Sequence, residues 1–241
     1  HYDPAIAVPF GGATQESAAQ GEAVLWQLYD AIQAQTLLVR GAQSDLLTRE
    51  TAQAMGQRFV KLQLELGGKD PTYVCEDADP VTAAASLADG AMYNTGQSCC
   101  SVERIYVHEK IYDAFVAALV NTVKGFKLGN PEADDTYIGA ITRVPRLAVL
   151  EAQVADSLAK GARLLTGGKR LPGPGNWFEP TVFSHVSHDM DLMREESFGP
   201  IIGIQKVSGD AQAVQLMNDT RYGLTAGVYT PDEARARAVL S

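Results

Sequence analysis

Short β-branched runs alternate with longer amphipathic patterns along most of this chain, and that alternation limits its fold more than any other feature. Strands and helices in such an order bury their apolar faces best when helices cover both sides of a mostly parallel sheet. TLLVR (36–40) reads as a buried strand, and LLTRETAQAMGQR after it as a helix. VKLQLEL (60–66) alternates as a strand does and stops at Gly67-Gly68, and TYVC (72–75) is another short extended piece. Asp79-Pro80 then opens a helix, with an acidic N-cap and a proline at the first helical position, where its missing N–H costs nothing. Val81, Ala84, Ala88, Ala91 and Met92 are expected on its buried face.

Downstream, RIYVHE (104–109) reads as a strand and IYDAFVAALVNTVKGF as a helix. A long helix is predicted over Thr142 to Lys160, its stripe made by Val144, Leu147, Leu150, Val154 and Leu158, with Gly161 as the stop. Further strands are expected near 162–166, 178–183, 201–206 and 224–229, and helices at 209–218 and 231–240. KRLPGPGNWF is the most turn-rich stretch and is expected on the surface. The fold class that follows is α/β, a mostly parallel sheet with covering helices.

Charge and composition narrow the function. Lys plus Arg number 20 against 29 Asp plus Glu, a net −9, which argues against nucleic acid and anionic membranes as partners. No apolar run approaches the roughly 18 residues a membrane span needs. HYDPAIAVPFGGATQES lacks the basic start, apolar stretch and small-residue exit of a secretory signal. Three cysteines are too few, and odd in number, for a disulfide framework, so a reducing cytoplasm is expected. A start at His1 rather than Met leads us to expect a chain cut from something longer.

Two of the three cysteines stand together in NTGQSCCSVER (94–104), after a helix and a Gly-Gln turn. A thiol held there on exposed backbone can be a nucleophile, with its own N–H turned toward a reacting oxygen. Glu65, at the end of the strand before Leu66-Gly67-Gly68-Lys69, is the candidate base, and the glycines let a flat ligand approach the backbone. Cys100 reads as a packing neighbour and Cys75 as a buried strand residue. His108, His185 and His188 have no metal-site spacing, and no metal is assigned.

LELGGKDP (64–71), NTGQSCC (94–100) and MREESFGP (193–200) together resemble the active-site signatures of the NAD(P)-dependent aldehyde dehydrogenase superfamily. The similarity runs on through GNWFEPTVF and LMNDTRYGLTAGVYT, so the chain is read as an incomplete catalytic domain over about 59–241. The resemblance implies oxidation of a small-molecule aldehyde to an acid. In that family a cysteine forms a thiohemiacetal, hydride passes to nicotinamide, and water cleaves the thioester. By this resemblance Cys99 is the nucleophile and its backbone N–H one oxyanion donor. Glu65 is the general base that activates water. Glu196 holds the nicotinamide ribose, Phe198 packs near the nicotinamide, and Leu66 joins the cofactor-binding set, with NAD or NADP as cofactor.

The chain also departs from that family. A family subunit is roughly twice as long, and its first part supplies most of the cofactor fold and an asparagine of the oxyanion hole. Nothing in residues 1–58 resembles that part. LLVRGAQSDLLTRETAQAM is instead similar to a late strand and loop of α/β-hydrolases, with Asp45 at the position that orients their catalytic histidine. No Gly-x-Ser-x-Gly elbow accompanies it. Residues 1–58 are thus read as a hydrolase-like fragment joined near Arg58-Phe59. Two alternatives to the dehydrogenase reading follow, a catalytically silent fusion fragment and a cofactor-independent thiol esterase. A truncated sheet exposes an edge, so a homo-oligomer or a complementing chain is the expected partner.

Overall fold

The computed structural model describes residues 37–41, 61–65 and 67–241. The chain divides into two compact units, His1–Leu66 and Gly67–Ser241, the division falling beyond the join expected near Arg58-Phe59. In the first unit β1 (Leu37–Gly41) pairs in parallel with β2 (Lys61–Glu65), Leu37 opposite Lys61 and Gly41 opposite Glu65. Asp45, Leu66, the helix expected after TLLVR and the Arg58-Phe59 join all lie outside the described residues.

The second unit is built on a six-stranded sheet. Its strands are β3 (Asp70–Val74), β4 (Val102–His108), β5 (Arg163–Thr166), β6 (Thr181–Ser184), β7 (Ile201–Val207) and β8 (Gly227–Tyr229). They lie in the order β5-β6-β7-β4-β3-β8, and every pair is parallel except β5–β6. Among the described strands β5 and β8 form the two edges. The helices are α1 (Pro80–Met92), α2 (Tyr112–Lys124), α3 (Val144–Ala159), α4 (Asp191–Arg194), α5 (Asp210–Asn218) and α6 (Glu233–Leu240).

Alternate strand residues point to opposite faces, and each face has its own core. Val74, Ile105, Val107, Val182, Ile202 and Ile204 pack with the buried residues of α1 and α2. Tyr73, Tyr106, Phe183, Ile201 and Val207 pack on the other side with residues of α3, α4 and α5. The result is three layers, helices on both faces of the sheet, as the alternation in the sequence predicts.

Local signals act as expected at α1. Asp79 accepts the Thr82 N–H at 2.7 Å and Pro80 occupies the first helical position. Asp79→Ala is therefore expected to lower the melting temperature by about 2–4 °C, read from circular dichroism melts. The apolar stripes are shorter than the sequence suggests. Ala84, Ala88, Ala91 and Met92 are buried, but Val81 in the first turn is 62% exposed. In α3, Leu147, Leu150 and Val154 are buried while Val144 and Leu158, near its two ends, stay exposed. A helix tangent to a sheet touches it along its middle turns, so its end residues point past the contact. Gly161 ends α3 at φ 92°, a left-handed conformation suited to glycine.

Candidate active site

Three segments far apart in sequence meet because each leads into one of three neighbouring strands. Gly67-Gly68-Lys69 enters β3, Cys99-Cys100-Ser101 enters β4, and Glu196 to Pro200 enters β7. β7, β4 and β3 are adjacent and parallel, with Asp70 opposite Val102 and Arg104 opposite Gly203. Their amino ends therefore lie side by side, and the segments before them converge. The site of this unit thus sits at the amino ends of its strands.

Bare backbone lets the segments touch. Gly67 has φ 76°, and a Cβ there would stand 2.7 Å from Glu196 Oε1. A Cβ on Gly68 would overlap the carbonyl oxygen of Cys99, and one on Gly96, at φ 67°, would overlap that of Gly199. Backbone contact requires glycine at Gly68 and Gly96, and left-handed torsion favours it at Gly67 and Gly96. Gly68 N–H donates to Glu196 Oε1 at 2.9 Å, joining the first motif to the third.

The cysteine turn is held under strain. Tyr93–Gly96 is a short kinked segment rather than a regular turn, with Asn94 and Thr95 at φ of 50° and 62°. A β-branched residue in the left-handed region is sterically costly and persists only where its surroundings hold it. Thr95 Oγ1 accepts the Gly139 N–H at 2.9 Å. Gln97 bridges to the same neighbouring segment, its Nε2 donating to the Ala140 carbonyl and its Oε1 accepting from Thr142 N–H. Ser101 Oγ donates to the Ser98 carbonyl at 2.9 Å and closes the turn from the other side.

The three thiols have different surroundings. Cys75 is buried, and burial pushes its pKa up to about 12, which makes it inert as a nucleophile. Cys99 is partly exposed on the turn. Cys100 is exposed, which corrects its reading as a packing neighbour. Ser98 Oγ lies 3.4 Å and Tyr93 Oη 3.6 Å from Cys100 Sγ, and these hydroxyls hold its pKa below the usual thiol value.

Glu196 is half-buried, and loss of solvent raises its pKa, an effect the Gly68 N–H opposes. Arg146 binds the Glu196 carbonyl at 3.2 Å and stands 5.9 Å from the centre of the Phe198 ring. Phe198 itself has φ 47°.

Sequence reasoning missed the group beneath these residues. Lys69 and Glu103 are buried, and Lys69 Nζ lies 2.6 Å from Glu103 Oε2 and 3.1 Å from Ser197 Oγ. Arg104, fully buried, donates to the carbonyls of Lys69, Leu216 and Met217. The signal available was the Glu103-Arg104 pair at the start of an otherwise apolar strand, where charges survive only with partners. Among the sequence-predicted residues, Cys99, Glu196 and Phe198 fall in the convergent segments. Glu65 ends β2 in the first unit, and its side chain lies outside the described residues. Among the described residues no group of three or more His, Cys, Asp or Glu could hold a metal ion, and no helix is long and apolar enough to cross a membrane.

Comparison with known proteins bears on this arrangement directly. Residues 41–241 match the aldehyde dehydrogenase family. A 3,6-anhydro-alpha-L-galactose dehydrogenase of a Vibrio species is 38% identical over 199 residues, 78% of this chain and 42% of that protein. A succinate semialdehyde dehydrogenase of Escherichia coli, named for NAD(P)+, is 39% identical over 182 residues, 76% of this chain and 39% of its own. The crystal structure of lactaldehyde dehydrogenase from Escherichia coli superposes with a TM-score of 0.77 at 34% identity, covering 85% of this chain and 42% of that one. The chain thus spans about two fifths of the length of the curated relatives it matches.

Proposed function

The chain belongs to the aldehyde dehydrogenase family, and from that premise we propose that it oxidises a small aldehyde to the carboxylic acid with NAD or NADP. The observation that carries this reading is the meeting of the Cys99 turn with Glu196 at the amino ends of β3, β4 and β7. Cys99 Sγ attacks the aldehyde carbon, and the developing oxyanion is met by the Cys99 N–H. A nicotinamide dinucleotide supplies, when bound, the acceptor for the hydride that the thiohemiacetal carbon releases. Glu65 is assigned the deprotonation of the water that cleaves the resulting thioester, returning the thiol and the acid.

The residues present fit the dinucleotide. A half-buried carboxylate with one oxygen fixed by Gly68 N–H keeps its other oxygen for ribose hydroxyls. Gly67-Gly68, bare beside it, leaves room for a flat group. Phe198 is assigned to pack near the nicotinamide, and Leu66 joins the same cofactor-binding set. Residues 1–58 keep their separate reading as a hydrolase-like piece without a triad, although the family match from residue 41 overlaps its end. A reducing cytoplasm suits a mechanism that needs Cys99 as a thiol. The edge at β8 would be completed by a second copy or a complementing chain, and a sharp monomer peak in size-exclusion chromatography at high concentration would contradict that.

The reading is tested by titrating the purified chain with NADH and NADPH, followed by cofactor fluorescence. Glu196→Gln is expected to weaken the preferred dinucleotide by about tenfold, since one charge-assisted hydrogen bond contributes about 1.5 kcal/mol or more. Equal affinity in wild type and variant would remove Glu196 from the cofactor site.

A further inference from the structure

We propose that Glu103 is a positioning residue, a buried anion that shapes the Glu196–Phe198 loop from beneath and so sets where the Glu196 carboxylate stands. This inference rests on the reading of Glu196 and Phe198 as the cofactor side of the site. Glu103 is the second residue of β4, the middle strand of the three, and is 3% exposed. Its Oε2 accepts the Ser197 N–H at 3.0 Å and its Oε1 accepts the Phe198 N–H at 3.0 Å. Two successive amides turned onto one carboxylate form a concave anion-binding backbone, here filled by a side chain of the same protein. The left-handed φ of Phe198 belongs to that concavity, and Glu103 supplies what holds a non-glycine residue there.

The third contact, from Lys69 Nζ, ties the same carboxylate to the first motif. Lys69 immediately follows Gly68, whose N–H holds Glu196 Oε1, so Glu103 grips both ends of the contact between the Gly67-Gly68 segment and Glu196. A buried ion pair is a weak source of stability, because desolvation of both charges offsets their attraction. Burial accordingly lowers the pKa of Lys69, with Glu103 opposing that shift. What the pair provides is geometry: three charge-assisted hydrogen bonds to Glu103 add to the direct Lys69–Ser197 and Gly68–Glu196 contacts in fixing the two segments together.

The test uses two variants, so that a loss of folding in one leaves the other to decide. In Lys69→Met with Glu103→Leu, apolar side chains of similar volume replace both charges, a replacement that is often neutral for stability, while the Ser197 and Phe198 N–H groups lose their acceptor and Ser197 Oγ loses its Lys69 donor. In Glu103→Gln a single amide oxygen remains to accept. Thermal melts report folding, hydrogen exchange of the peptide covering 195–200 reports the loop, and NADH or NADPH titration reports the site. We expect both variants to fold, with loop exchange about tenfold faster in the double variant and dinucleotide affinity about tenfold weaker. Glu103→Gln is expected to fall between the double variant and wild type in both readouts. Wild-type exchange across 195–200 in a folded double variant would overturn the proposal. So would unchanged affinity in that variant when Glu196→Gln weakens binding. If the wild-type chain binds no dinucleotide, the reading of Glu196 fails, and the loop exchange rates alone decide the positioning role.

Discussion

Serine in place of Cys99 is expected to lower NAD(P)-dependent aldehyde oxidation by at least about a thousandfold, while Cys100→Ser leaves it within a few-fold of wild type. The size of the first effect follows from chemistry. An alcohol at this position does not ionise near neutral pH, and the partly exposed turn offers the thiol, not a base-activated hydroxyl. The contrast with Cys100 separates reactivity from catalysis. Cys100 is the more exposed thiol and its pKa is held low by the Ser98 and Tyr93 hydroxyls, so an alkylating reagent is expected to label it readily. Peptide mass spectrometry after iodoacetamide should find adducts on Cys99 and Cys100 and none on buried Cys75. Loss of turnover with Cys100→Ser and its retention with Cys99→Ser would exchange their roles.

The largest structural effect is expected at Gly96. An alanine there must adopt φ 67° and place its Cβ inside the Gly199 carbonyl, backbone against backbone, with no flexible side chain to give way. Left-handed torsion and overpacking together predict a loss of about 3 kcal/mol or more, with the Cys99 turn displaced from the Gly199-Pro200 segment. Gly161 is the control. Its φ is 92° but nothing stands within 4 Å of a Cβ, so Gly161→Ala bears only the torsional cost, about 1 kcal/mol. Urea denaturation of both variants checks the order. Equal losses would mean that the contact between the second and third motifs is not tight.

The layered α/β fold was legible because its signals are local. The Asp79-Pro80 cap, the Gly161 stop and the alternation of runs each act within a few residues, and β3 to β8 fall where those runs lie. The ends of the stripes were not legible. Val81, Val144 and Leu158 obey the helical period, but whether a terminal turn meets the sheet depends on the partner surface. α4 has four residues, too few for a period to show.

At the site, the motifs named Cys99, Glu196 and Phe198, yet nothing local says that their segments meet. That depends on β7, β4 and β3 being neighbours, although β5 and β6 lie between β4 and β7 in the chain. The pairing of Lys69 with Glu103 was hidden for the same reason, although the Glu103-Arg104 pair in an apolar strand hinted at buried charge. Lys69 and Glu103 are 34 residues apart, and Lys69 alone reads as a solvated charge. Open parallel sheets bind ligands beyond the carboxyl ends of their strands, whereas the convergent segments here precede β3, β4 and β7.

The central claim is that Cys99 and the loops around it carry out dinucleotide-linked oxidation of an aldehyde. The most direct measurement incubates the purified, folded chain with a panel of small aldehydes and NAD or NADP, and counts reduced cofactor against carboxylic acid formed. The account predicts one reduced cofactor per acid, with both signals lost in Cys99→Ser. Folded protein that forms neither, or that hydrolyses an activated ester through Cys99 while leaving aldehyde and cofactor untouched, would contradict it.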